Sequence, residues 1–134
     1  MAKKVLIVED NELNLRLFRD LLEAHGAEVE TVRDARLALD LMRAFLPELV
    51  IMDIQLPHIS GVELIRMMRG DAVLSATPVM AVTAYAGKGD EGRVRDAGAD
   101  AYVSKPISVS RFVAAVEGLV GPLGGNGRPL AGSR

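Results

Sequence analysis

The sequence predicts an α/β fold, a doubly wound five-stranded parallel sheet with five helices. Short runs that are apolar at every position recur at Val5-Leu6-Ile7-Val8, Leu49-Val50-Ile51-Met52 and Val79-Met80-Ala81-Val82. Such runs fit strands buried on both faces. Segments with helical apolar spacing separate the strands, and that alternation implies a parallel sheet covered by helices on both sides. Most of the strand runs end at a polar or charged residue, which places the chemistry at the carboxyl ends of the strands, where open parallel sheets bind ligands.

The first strand, Val5 to Val8, stops at Glu9-Asp10-Asn11. A helix follows with Leu15, Phe18, Leu21 and Leu22 on one face, Asn11 as its N-cap and Gly26 as its stop. Glu28 to Val32 is the second strand, marked only by the apolar alternation of Val29 and Val32. A second helix begins at Asp34, carries Leu37, Leu41, Met42 and Phe45 inward, and ends at Pro47. The third strand is terminated by Asp53. Ser60 caps a third helix with Val62, Ile65 and Met68 inward. Pro78 opens the fourth strand, which ends at Thr83. Residues 87–97 hold charges, three early glycines and little apolar content, so a helix there is marginal. Ala101-Tyr102-Val103 is a short fifth strand before Ser104-Lys105-Pro106, and the last helix starts near Ser108 with Phe112, Val113, Val116 and Leu119 on one face. The domain spans residues 1–120, and the Gly- and Pro-rich residues 121–134 are expected to form a flexible tail.

A chain of 134 residues is one domain by size, and it can bury enough surface to fold without a staple. The 16 basic and 18 acidic side chains give a net charge of −2, which argues against a nucleic-acid footprint. The absence of cysteine excludes disulfides, thiolate metal sites and thiol nucleophiles. The two histidines, His25 and His58, do not make a histidine-rich metal site. His25 reads as a contact at a helix C-terminus, and His58 as a solvent-exposed loop residue. No apolar run is long enough to insert in a membrane, and the start lacks a secretory pattern, so the chain is expected in the cytoplasm. Gly87, Gly89 and Gly92 do not form a phosphate-binding loop pattern.

The predicted sheet brings Glu9 and Asp10, Asp53, Thr83 and Lys105 to one rim. Three carboxylates crowded there repel: two charges about 4 Å apart cost on the order of 4 kcal/mol at an effective dielectric near 20. One lysine cannot neutralise three acids, so the cluster needs a cation or must take up protons. A hard divalent ion such as Mg²⁺, which prefers oxygen ligands and works with phosphate groups, suits the donor set. Each residue has a plainer reading. Asp10 alone reads equally well as a helix cap, Thr83 as a turn residue and Lys105 as a surface lysine. An unpaired carboxylate directly after four apolar residues, Asp53, is harder to explain structurally.

Glu9-Asp10, Asp53 with Pro57 and Gly61 in Asp-Ile-Gln-Leu-Pro-His-Ile-Ser-Gly, Thr83-Ala84 and Lys105-Pro106 together resemble the receiver domain of bacterial two-component response regulators, a flavodoxin-like fold. The resemblance covers residues 3 to about 120. More narrowly, Val-Glu-Asp-Asn-Glu-Leu-Asn, Asp-Ile-Gln-Leu-Pro, Lys88-Gly89-Asp90-Glu91 and Ser-Lys-Pro-Ile-Ser-Val are similar to stand-alone receivers of bacterial cell-cycle signalling.

The resemblance implies that Asp53 accepts a phosphoryl group from phosphohistidine of a histidine kinase or histidine phosphotransfer protein. It implies Mg²⁺ held by Asp10, Asp53 and the main-chain carbonyl of Gln55, with Glu9 acting through a water. Lys105, Thr83 and the Ala84 N–H would contact phosphoryl oxygens, Tyr102 would be the switch aromatic, and the Lys105–Pro106 bond would be cis. Phosphorylation would draw Thr83 inward and let Tyr102 follow, so the output surface toward a downstream protein partner is expected on segment 87–97, strand 101–103 and the last helix, with Arg93 and Arg95 as candidates. Phosphotransfer partners are expected on the first helix at Asn11, Asn14, Leu15 and Phe18, although Phe18 fits the core equally well. Gln55 and Tyr85 flank the site and are expected to tune hydrolysis.

Two other readings remain open. A phosphatase of the haloacid-dehalogenase type also forms an aspartyl phosphate, but it needs a second acid two positions after the nucleophile, where Gln55 stands. A structural receiver that takes no phosphate usually loses the acceptor, the acid pair or the lysine, and all are retained here.

Overall fold

In the computed structural model, which describes residues 2–84 and 90–123, the apolar runs become five parallel strands in one sheet. They are β1 (Lys4–Val8), β2 (Glu28–Val32), β3 (Leu49–Asp53), β4 (Val79–Thr83) and β5 (Ala101–Ser104), in the order β2-β1-β3-β4-β5. The chain adds β2 on one side of β1 and then crosses to add β3 on the other. The reversal opens a crevice at the carboxyl ends of β1 and β3, the place where such sheets take ligands.

The helices are α1 (Glu12–Ala24), α2 (Ala38–Phe45), α3 (Gly61–Arg69), α4 (Asp90–Ala97) and α5 (Val109–Val120). Alternate residues of the central strands feed two cores, as the pleat requires. On one face Leu6, Val8, Val50, Met52 and Ala81 meet Met42 of α2, Ile65 and Met68 of α3 and Val94 of α4. On the other Val5, Ile7, Ile51, Met80 and Val82 meet Phe18 and Leu22 of α1 and Phe112 and Val116 of α5. Phe18 and Phe112 stack with ring centroids 5.1 Å apart, which joins α1 to α5. Edge strand β2 has one protected side, so Glu28 and Glu30 stay exposed and its apolar pattern is the weak alternation seen in the sequence.

The predicted caps form: Asn11 accepts from the Asn14 N–H, and Ser60 and Glu63 make a reciprocal capping box on α3. Ser108, near the expected start of the last helix, caps α5. Two expectations need correction. Leu37 faces solvent, because the segment from Asp34 first winds as a 3₁₀ turn at Ala35–Leu37; the tighter winding shifts the buried face to Ala35, Ala38 and Met42. Leu15 and Phe18 are both buried, so neither offers a surface on α1; the exposed apolar side chains of that helix are Leu13 and Leu17.

Past α5 the chain stays on the body as far as Leu123, which is fully buried and accepts the Lys3 N–H through its carbonyl. Residues 124–134 of the expected tail, and residues 85–89 with Tyr85, Gly87, Lys88 and Gly89, lie outside the described residues.

One long-range clamp has no signature in the sequence pattern. The Arg69 guanidinium, at the end of α3, donates to the carbonyls of Gly98 (2.7 Å) and Thr77 (2.8 Å) and to Asp100 Oδ2 (3.1 Å). It ties the end of α3 to the entry of β4 and to the turn between α4 and β5. Gly98 allows this approach: its φ is +124°, and a Cβ there would come within 2.7 Å of Arg69 Cγ.

Gly61 and Gly118 predict opposite outcomes for the same substitution. A Cβ on Gly61 would lie 2.7 Å from the Asp53 carbonyl oxygen and from Ile54 Cα, both backbone atoms. Gly61→Ala should therefore destabilise the protein by about 1–3 kcal/mol. A Cβ on Gly118, inside α5, meets nothing within 4 Å, so Gly118→Ala should stabilise by up to about 1 kcal/mol. Urea unfolding of both variants checks the pair, and equal shifts would contradict the packing account.

Candidate functional site

Each site residue stands at the end of a strand or just beyond it. Glu9 follows β1 and continues the sheet, its N–H donating to the Val32 carbonyl at 3.1 Å. Asp53 is the last residue of β3 and Thr83 the last of β4. Lys105 follows β5, its N–H donating to the Thr83 carbonyl at 2.7 Å, and the Lys105–Pro106 bond is cis, as expected.

The rim brings the predicted acids together. Glu9, Asp10 and Asp53 each present a carboxylate oxygen within 4.8 Å of the others, and such a set can hold a metal ion. Glu9 is 1 % exposed and Asp53 7 % exposed, whereas Asp10 is half-buried and reaches the solvent side. Asn11, rather than Asp10, caps α1, so the Asp10 carboxylate is not spent on the helix. Lys105 is no loose surface lysine either. Its Nζ donates to Glu9 Oε1 at 3.3 Å and to Asp53 Oδ2 at 3.5 Å. The other oxygens are held by the backbone: the Asn11 N–H donates to Glu9 Oε2 at 3.1 Å and the Gln55 N–H to Asp53 Oδ1 at 2.9 Å.

These contacts fix the electrostatics. Burial pushes the Glu9 carboxyl up from 4.5 to about 7, and the hydrogen bond and negative charge of Asp53 push in the same direction. The Asn11 N–H and the Lys105 ammonium oppose the shift without cancelling it. Glu9 is thus poised to carry a proton near neutrality.

Beside the acids lies a cavity of about 250 Å³ lined by Ile54, Gln55, Val62, Thr83, Arg93, Val94 and Tyr102. It places the two predicted switch residues, buried Thr83 and half-buried Tyr102, against one space. Arg93 borders that space, while Arg95 pairs with Glu91 one turn away at 2.8 Å. Ala84 is exposed beyond Thr83. His58 is exposed with a left-handed φ of 72°, and His25 Nδ1 sits 2.9 Å from the Leu21 carbonyl at the end of α1, away from the site.

The sequence reading missed Arg33. Its guanidinium donates to the Asp10 main-chain carbonyl through Nη2 at 3.0 Å and Nε at 3.3 Å. The signal was available: Arg33 directly follows β2, and the rule that picked the residue after each of the other strands picks it too.

The chain matches the response regulator receiver domain over residues 5–117. It is 53% identical over 121 residues to the polar-differentiation response regulator DivK of Brucella ovis, covering 90% of this chain and 98% of that relative. The receiver domain of a signal transduction histidine kinase from Syntrophus aciditrophicus superposes with a TM-score of 0.82 at 31% identity, over 95% of this chain and 94% of that one. The receiver domain of sensor histidine kinase PA1611 from Pseudomonas aeruginosa, crystallised with a magnesium ion coordinated in its active-site cleft, superposes with a TM-score of 0.83 at 26% identity, over 90% of this chain and 99% of that one.

The raised Glu9 pKa sets a pH dependence. A group that titrates near 7 when folded and at 4.5 when unfolded favours the fold in its protonated form. Its contribution is complete below pH 4.5 and is lost as the pH rises through about 7. In EDTA-containing buffer the unfolding free energy should therefore fall across that interval, and Glu9→Gln should flatten the fall. Denaturant unfolding at a series of pH values tests this, and a wild-type profile that stays level there would contradict it.

Proposed function

The chain belongs to the response regulator receiver family, and on that premise we propose that it accepts a phosphoryl group onto Asp53 from the phosphohistidine of a histidine kinase or histidine phosphotransfer protein, and thereby switches its affinity for a downstream protein. The observation that carries this reading is the convergence of Glu9, Asp10 and Asp53 at one sheet rim, with the Lys105 ammonium on Glu9 and Asp53.

An Asp53 carboxylate oxygen attacks phosphorus as the P–N bond to the donor imidazole breaks, and the freed imidazole takes a proton from solvent. The product is an acyl phosphate. The loose transition state spreads charge over the peripheral oxygens, so positioning and positive charge do most of the catalysis. Mg²⁺, held by Asp10, Asp53 and the Gln55 carbonyl with Glu9 behind them, would supply charge neutralisation at the phosphoryl oxygens. Lys105, already beside Asp53, exchanges its carboxylate contact for a phosphoryl oxygen. Thr83 and the Ala84 N–H supply further donors. The Gln55 N–H on Asp53 Oδ1 keeps the carboxylate from rotating. Gln55 in place of a second acid disfavours the hydrolase reading.

The added charge and acceptor oxygens then act on Thr83. As Thr83 moves toward them, Tyr102 takes the vacated part of the cavity that both residues line. The face formed by α4, β5 and α5 changes as a result. The likeness to DivK suggests signalling in polar differentiation and the cell cycle, and we place it in the cytoplasm. No helix among the described residues is long and apolar enough to cross a membrane.

Acetyl phosphate should label the wild-type protein in Mg²⁺ and fail to do so in EDTA. Asp53→Asn should abolish labelling, and Lys105→Ala should leave slow labelling with a weakened partner response. Label retained by Asp53→Asn would remove Asp53 as the acceptor. Thr83→Ala should still be labelled but should lose most of the difference in partner binding between the beryllofluoride-treated and untreated forms, as read in a pull-down.

A further inference from the structure

We infer that Arg33 is a positioning residue for the cation site: it pins the main-chain carbonyl of Asp10 and so holds the Asp10 carboxylate at the angle a small, rigidly coordinated divalent ion requires. The inference rests on the metal-dependent reading above and names a residue outside the acid cluster as part of its machinery.

The Asp10 carbonyl stands just before the N-cap of α1, and the first intrahelical bond runs from the Leu15 N–H to the Asn11 carbonyl. The helix therefore leaves the Asp10 carbonyl to other donors. Arg33 supplies two, at 3.0 and 3.3 Å, from just beyond the neighbouring strand β2. On the other side of the same turn, the Asn11 N–H is fixed on Glu9 Oε2 at 3.1 Å. The turn that aims the Asp10 side chain is thus held from both ends, by Glu9 and by Arg33.

Arg33 is also available for the task. The acid next to it, Asp34, is engaged by Arg36 at 2.9 Å. Arg33 forms one wall of an open depression of about 340 Å³ lined with Asp10, Asp34, Pro57 and His58, so it meets the rim from the side away from Lys105. Mg²⁺ demands near-ideal octahedral geometry, whereas Ca²⁺ tolerates irregular sites. Residues that orient a ligand affect metal affinity strongly without touching the metal.

Charge and positioning make opposite predictions. If Arg33 acted only through its positive charge, removing it would relieve repulsion and tighten cation binding. If it positions Asp10, removing it loosens the site. Isothermal titration calorimetry of Mg²⁺ and of Ca²⁺ into the unphosphorylated full chain separates the two. Arg33→Ala should weaken Mg²⁺ binding by roughly tenfold and Ca²⁺ binding by clearly less. Arg33→Lys, which keeps a donor of similar reach, should restore Mg²⁺ affinity to within about threefold of wild type. Unchanged or tighter Mg²⁺ binding in Arg33→Ala, or an equal loss for both ions, would overturn the inference. A wild-type protein that bound no Mg²⁺ would instead remove the metal-dependent function on which it rests.

Discussion

Three carboxylates share one small space with an ammonium beside two of them, and the rest of the molecule is arranged about that crowding. Glu9, Asp10 and Asp53 each present a carboxylate oxygen within 4.8 Å of the others, and among the described residues Lys105 pairs with Glu9 and Asp53. One positive charge cannot balance three negative ones at that separation. The imbalance shows in Glu9, whose carboxyl is driven toward its neutral form by burial and by Asp53. A site built this way has a standing demand for positive charge. That demand suits the acid set to a hard divalent cation.

The sheet makes the crowding possible. β1 and β3 are adjacent only because the chain reverses its order of strand addition, so residues 44 positions apart end side by side. The apolar strands beneath them, with Val5 to Val8 and Leu49 to Met52 almost wholly buried, leave no freedom for the rim to spread. Gly61 extends the constraint into the loop after β3, because α3 starts so close to Asp53 and Ile54 that a side chain there would collide with backbone. Farther out, Arg69 holds the turn after α4 and the entry of β4 at the edge of the sheet opposite the acids. The other end of the α4–β5 unit abuts the cavity shared by Thr83 and Tyr102.

The strands, the caps and the acid rim were legible in the sequence, because each depends on local chemistry. Four consecutive apolar residues followed by Asp53 can be read without knowing what lies beside them, and Ser60 with Glu63 specifies its own cap. Features that depend on neighbours were not legible. Leu37 fits a helical stripe, but the 3₁₀ turn before α2 rotates it into solvent. Phe18 suited a docking surface and a core equally, and the ring of Phe112 on a helix nearly a hundred residues later decides for the core. Arg69 looks like an ordinary surface charge in the sequence. It holds the carbonyls of Gly98 and Thr77, which carry no signature of their own, and the Asp100 carboxylate 31 residues away.

The most direct test of the account is to locate the ion itself. Crystals of the unphosphorylated protein grown with Mn²⁺ in place of Mg²⁺ should give one strong anomalous peak between the carboxylates of Asp10 and Asp53, and Asp53→Asn should weaken or remove it. Wild-type crystals without density between those two side chains at millimolar Mn²⁺, or with the ion bound elsewhere on the surface, would contradict the claim that this rim is organised to receive a divalent cation.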